Sequence, residues 1–225
     1  MGTRNLTMVI DKKGELKIAQ YGQWDGYPEG EGLKILNFAK NKDNIQKLEE
    51  QLPLCRFYNN CNDIERWLYG YKERTKIEYD THISTDSRKK NGRNDSDLYW
   101  WDYLQSRDIG ADILNNIIKI DKPRLPKEHN NYIYLYNDVD FAKDSLFCEW
   151  VYCINLQTNK LECFKGFNKY KEREYERFET TQEEIDENNG YCSIELIKEY
   201  DLDSLPNEDD FIKELNKLGY GEEEE

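Results

Sequence analysis

Histidine is almost missing from this chain. There are two in 225 residues, His82 and His129, and neither has a cysteine or carboxylate neighbour at ligand spacing. The six cysteines, Cys55, Cys61, Cys148, Cys153, Cys163 and Cys192, include no C-x-x-C pair. Together these shortages leave no zinc pattern, and no metal ligand is assigned. Apolar residues are also scarce, at 37% against ~45–50% for an ordinary globular domain, a range that counts glycine as well. No apolar run approaches the ~18 residues a membrane span needs. No P-loop, dinucleotide fingerprint, EF-hand or G-x-S-x-G context occurs, so no catalytic residue and no cofactor is assigned. The N-terminus has no apolar stretch of the signal-peptide kind, and a reduced, cytoplasmic protein is expected.

What the chain has instead is aromatics and acid. Seventeen tyrosines, eight phenylalanines and five tryptophans give a large buried area per residue, with polar tips that need partners. The net charge of −14 is unevenly spread. Residues 169–225 carry 7 Lys/Arg against 20 Asp/Glu, so the body is nearly neutral and the last quarter is acidic. Such a surface repels nucleic acid and anionic membrane and suits a basic protein partner. The length allows one substantial core, here 1–168, with 169–225 as an acidic helical extension packed on it or trailing from it.

Periodicity gives the elements. Leu6, Met8 and Ile10 alternate with Asn5, Thr7 and Val9, and Leu16 and Ile18 resume the alternation after the turn at 11–14, which predicts a β-hairpin. Helices are expected from about Glu31, from an Asp43 N-cap to Pro53, at 62–68, and through Ile109, Ile113, Leu114, Ile117 and Ile118. The aromatic run 98–104 reads as core packing or as a stacking surface. Residues 80–97 read as a long mobile polar loop. Strands are expected at 132–136 and at 146–156. The second is apolar on both faces and so central in its sheet, with 161–164 returning antiparallel. Thr180 or Thr181 should cap a helix, and Phe211, Ile212, Leu215 and Leu218 should form a last one closed by Gly219. The fold class is α+β: a mostly antiparallel sheet flanked by helices, with the acidic helical appendage.

The stretch 21–32, YGQWDGYPEGEG, is the candidate site. Four glycines and a proline do not suit a core strand, and a solvated turn needs no tryptophan and two tyrosines. Tyr21, Trp24 and Tyr27 would offer flat faces, or pin the loop to the sheet. Gln23 and Asp25 would offer hydrogen bonds, with Asp25 either a general base or an acceptor of turn N–H groups. Arg4 would hold an anion, or pair with Asp25 or Glu29. Glu149, in an otherwise apolar strand, needs a partner, and Arg4 is the expected one. Arg88 and Lys89 would close over an anion, or belong to a solvated loop.

Two resemblances bear on function. Residues 2–7, GTRNLT, with 19–30, AQYGQWDGYPEG, resemble a group of uncharacterised proteins of phages, bacteria and some fungi. These share a G-T-R start and a Q/N-x-W/Y-D-x-Y-P-x-G loop. The stretch 149–156 is similar to their later W-x-Y-x-I-D-L strand, with Asn155 where Asp is usual. The resemblance implies a mobile-element protein acting inside a bacterial cell. Its expected role is to counter host defence by sequestering a nucleotide signal or blocking a defence protein. The second is topological: an N-terminal hairpin, two helices and further antiparallel strands resemble N-terminal-nucleophile hydrolases, which would make Thr3 the nucleophile. No further acid follows on the first strand, and Lys34 lies beyond the glycine-rich loop. The ligand-binding reading leads, with a Thr3 amidohydrolase and an acidic protein–protein inhibitor acting through 169–225 as alternatives.

Overall fold

The computed structural model describes residues 2–57, 109–119, 133–169 and 177–220. The expected helix at 62–68, loop at 80–97 and aromatic run at 98–104 lie outside them.

The hairpin forms as expected: β1 (Asn5–Ile10) pairs antiparallel with β2 (Leu16–Gly22). A wide helical turn, Pro28–Gly32, leads into α1 (Leu33–Lys40). Next comes α2 (Lys42–Gln51), whose cap is Asn41 and not Asp43. The Asn41 side chain accepts from the Asp43 N–H at 3.0 Å, which places Asp43 inside the first turn. Pro53 then confines the chain to a short 3-10 turn before β3 (Cys55–Phe57). Helix α3 (Asp112–Ile118) buries Ile113, Leu114 and Ile117. Strand β4 (Ile133–Leu135) pairs in parallel with β3 as a separate small sheet.

The long apolar strand begins later than its sequence suggests. β5 is Trp150–Asn155, because 144–148 turn about Asp144. The Phe147 and Cys148 N–H groups both donate to its carbonyl, at 3.1 and 2.8 Å. β6 (Lys160–Lys165) returns antiparallel. Helix α4 (Gln182–Glu187) starts in a reciprocal capping box between Thr181 and Glu184. Strand β7 (Glu195–Asp201) then pairs antiparallel with β6, and α5 (Glu208–Tyr220) ends the described chain.

The main sheet has the order β2-β1-β5-β6-β7. β5 is central, with every residue buried, and three of the four pairings are antiparallel. The exception is β1–β5, which is parallel, so the intervening chain crosses over one face. The fold is thus α+β, with a mixed sheet flanked by helices. On the helical face, Val9, Ile18, Trp150, Tyr152, Ile154 and Leu161 pack against α1, α2, α3 and α5. On the other, Leu6, Met8, Val151, Cys153 and Phe164 pack against Ala142, Phe178 and Ile194. Both faces of the hairpin are therefore buried.

The acidic C-terminal stretch is tied to this core by a strand and by two fully buried side chains of α5, Phe211 and Leu215. Helix α5 runs through Gly219 where a stop was expected. A Cβ at 219 would meet the Trp150 ring at 2.7 Å, so the glycine there serves close packing. Among the described residues, no helix is long and apolar enough to cross a membrane.

Candidate functional site

One end of the sheet gathers the start of β1, the end of β2, the start of β5, the end of β6 and the start of β7. The expected site stretch leaves β2 at this end, and a buried side chain holds it. Asn5, fully buried, donates through Nδ2 to the carbonyls of Gly22 at 3.3 Å and Trp24 at 3.2 Å. The Tyr152 hydroxyl donates to the Gly26 carbonyl at 3.0 Å, and the Gly26 N–H donates to the Thr3 carbonyl at 2.9 Å. The Glu31 N–H donates to the Asp25 carbonyl at 2.7 Å.

Two of the loop glycines follow from these approaches. A Cβ on Gly22 would sit 2.6 Å from Asn5 Oδ1, and one on Gly30 would sit 2.1 Å from the Asp25 carbonyl oxygen. Asp25 itself is left-handed, with φ of 54°, a conformation Asp tolerates better than most residues.

Glu31 is the buried acid of the region. Its carboxylate accepts from the Ala111 N–H at 2.5 Å and from Lys34 Nζ at 2.7 Å, tying the loop to α3. The Glu31 and Asp112 charges raise the Lys34 pKa against the opposing effect of its partial burial. Neither Asn5, Glu31 nor Tyr152 announces itself in sequence. Asn5 and Glu31 read there as ordinary strand and turn polars.

The expected ligand residues separate into two places. Trp24 is 56% exposed and Tyr27 38% exposed, on the outer side of the loop with Asp25. Tyr21 turns to the opposite face of the sheet. Its ring meets Phe141 edge-on at 5.0 Å, its hydroxyl donates to Gln23 Oε1 at 2.5 Å, and its N–H donates to Asp138 Oδ2 at 3.1 Å. There Tyr21 joins Arg4 in a cleft of about 350 Å³, walled also by Asn137, Asp138, Asp140, Phe141, Asp144 and Phe147. Arg88 and Lys89 lie outside the described residues.

Arg4 pairs with neither Asp25 nor Glu29. Its guanidinium sits 4.4 Å from the centre of the Phe147 ring. Glu149 does meet Arg4, but through the backbone: the Arg4 N–H donates to Glu149 Oε1 at 3.3 Å, and the Glu149 N–H donates to the Arg4 carbonyl at 3.1 Å. At the end of a strand the carboxylate reaches an unpaired backbone N–H more easily than a guanidinium pointing into the cleft. Glu29 instead accepts from Asn216 of α5.

Asp144 is partly buried in the wall of the cleft. Burial pushes its carboxyl up, while the Phe147 and Leu146 N–H groups and the Arg4 charge pull it back. Its Oδ1 is shielded and has no hydrogen-bond partner.

Among the described residues, no group of three or more His, Cys, Asp or Glu is placed to hold a metal ion. No protein-family model matches the chain, and no curated protein or solved structure matches it either.

Proposed function

We propose that this protein binds a small polar ligand, without transforming it, at the sheet end where Arg4, Tyr21 and Gln23 meet the 21–32 loop. The observation that supports this is Arg4. Its guanidinium lies in a cleft with aromatic walls, stacked on Phe147, and forms no ion pair with a described carboxylate. A cation held against a ring, with no described carboxylate in direct contact with it, is a prepared receptor for a ligand. A volume of about 350 Å³ falls within the ~300–1,000 Å³ typical of ligand pockets. The resemblance to phage and bacterial proteins supplies the proposed setting: a mobile-element protein that captures a host signal in the cytoplasm.

Native mass spectrometry of protein taken fresh from cells tests this. A ligand-sized adduct should accompany the folded protein, vanish on denaturation and be lost in Arg4→Gln. A bare native mass, with no binding from a panel of nucleotides and amino acids, would overturn the proposal.

A protein partner is the second reading, and a separate observation favours it. Among the described residues, the exposed large apolar side chains are Trp24, Tyr27, Phe147, Phe167, Leu196, Leu218 and Tyr220. All seven belong to segments that meet at this one end of the sheet. Phe167 is held there with φ of 59°, a strained conformation for a bulky residue. Exposed apolar side chains concentrated in one region are the usual character of a contact face.

A further inference from the structure

Within the cleft, two opposite charges face the same space without pairing. Arg4 carries the positive one and Asp144 the negative one. The Asp144 backbone carbonyl takes the Phe147 and Cys148 N–H groups, which fixes the residue in a tight turn. Among the described residues neither charge has an ion-pair partner, and a charge on the wall of a cleft gains from a matched one. A single molecule carrying both a carboxylate and an ammonium would satisfy the two together, each through a charge-assisted hydrogen bond.

The surroundings narrow the class further. Asp138 and Asp140 also line the cleft, so three carboxylates oppose one guanidinium. Asp138 already accepts from the Tyr21 N–H, and Asp140 lies 3.4 Å from Lys143 Nζ at the exposed rim. The field is negative overall, which disfavours a polyphosphate and favours a ligand with a second positive group. Tyr21, Phe141 and Phe147 supply apolar and π surface for its stem. Arg4 on Phe147 shows that this wall accepts a guanidinium.

We infer that the cleft is a zwitterion site of the α-amino-acid class. Arg4 receives the carboxylate, Asp144 receives the ammonium, and the cleft prefers members with a basic side chain. This rests on the small-ligand reading above and names its ligand.

Isothermal titration of the full chain with L-arginine, L-lysine, their N-acetyl and C-amide forms, and adenosine monophosphate tests it. Free arginine and lysine should bind, and blocking either end should weaken binding at least about tenfold, the scale of one charge-assisted contact. In Arg4→Gln the free acid and the amide should bind alike. In Asp144→Asn, which leaves the backbone bonds of the turn in place and removes only the charge, the free amine and the N-acetyl form should bind alike. Circular dichroism establishes that both variants are folded.

Amino-acid binding indifferent to both substitutions would overturn the assignment. So would binding of the nucleotide alone with loss in Arg4→Gln, although the small-ligand reading would then survive. No binding by any of these compounds, with a bare native mass, would overturn both.

Discussion

Asn5 carries the loop with one side chain. It lies in the first strand, fully buried, and its amide reaches two carbonyls of the segment that leaves the second strand. Asn5→Ala would strip both carbonyls of this donor, at Gly22 in a buried bond and at Trp24 in a part-buried one. The expected cost is about 1–3 kcal/mol, measured as a drop in the urea midpoint. Gly30→Ala should be worse for the loop, since its Cβ would lie 2.1 Å from a backbone oxygen that cannot rotate away. Gly190→Ala is a control of a different kind. Gly190 has φ of 83° with nothing near an added Cβ, so only backbone strain of about 1 kcal/mol is expected. Equal losses at the two glycines would show that the loop has no fixed path. The glycine-rich composition of 21–32 was legible in the sequence as a sharp backbone turn. What the glycines make room for was not legible, because Asn5, Asp25, Glu31 and Tyr152 meet only once the strands are paired.

At the scale of elements, the two-periodic hairpin, the doubly apolar β5 and the amphipathic α3 and α5 follow from side-chain spacing alone. The departures have local causes. Asp144 turns the chain and delays β5, Asn41 takes the cap from Asp43, and Trp150 keeps a glycine inside α5. The pairing of β3 with β4, and the parallel union of β1 with β5, carry no local signal at all. The strands also hold a chemical consequence. Cys148, Cys153 and Cys163 are fully buried at β5 and β6, and burial pushes their thiols well above the ordinary value of 9.0. Burial raises Cys55 to about 12. The folded thiols therefore stay neutral where unfolded ones ionise. Their contribution to stability is complete below pH 9 and is lost as pH rises above it, towards 12 for Cys55, by about 1.4 kcal/mol per pH unit for each thiol. Urea midpoints at pH 8, 9.5 and 10.5 should fall steeply. A flat series would mean that these thiols ionise in place, which their burial forbids.

The whole molecule joins its two ends in one sheet. Residues 169–225 read from sequence as an acidic extension with an amphipathic last helix, but spacing does not say which surface that helix covers. In the fold they supply β7 and the buried Phe211 and Leu215. Removing 169–225 should abolish cooperative unfolding altogether, and Phe211→Ala alone should cost about 3–5 kcal/mol. Denaturation of each variant, followed by circular dichroism, checks both. A folded, cooperative 1–168 fragment would show that the last strand and helix are dispensable. A partner-binding role for this region is therefore better probed by exchanging exposed Leu218 or Tyr220 for Asp than by deletion.

The parallel seam between β1 and β5 has one more consequence, for how the chain is made. Asn5 lies beside Trp150, and Ile10 beside Asn155. As the polypeptide leaves the ribosome, the hairpin emerges well before β5, with both faces destined for burial and its β1 edge open. Its neighbour in the sheet arrives some 145 residues later. At ~5–20 residues per second that is a wait of roughly seven to thirty seconds. During that interval the apolar faces of the hairpin and its open β1 edge are accessible to other chains, the kind of exposure that chaperones cover.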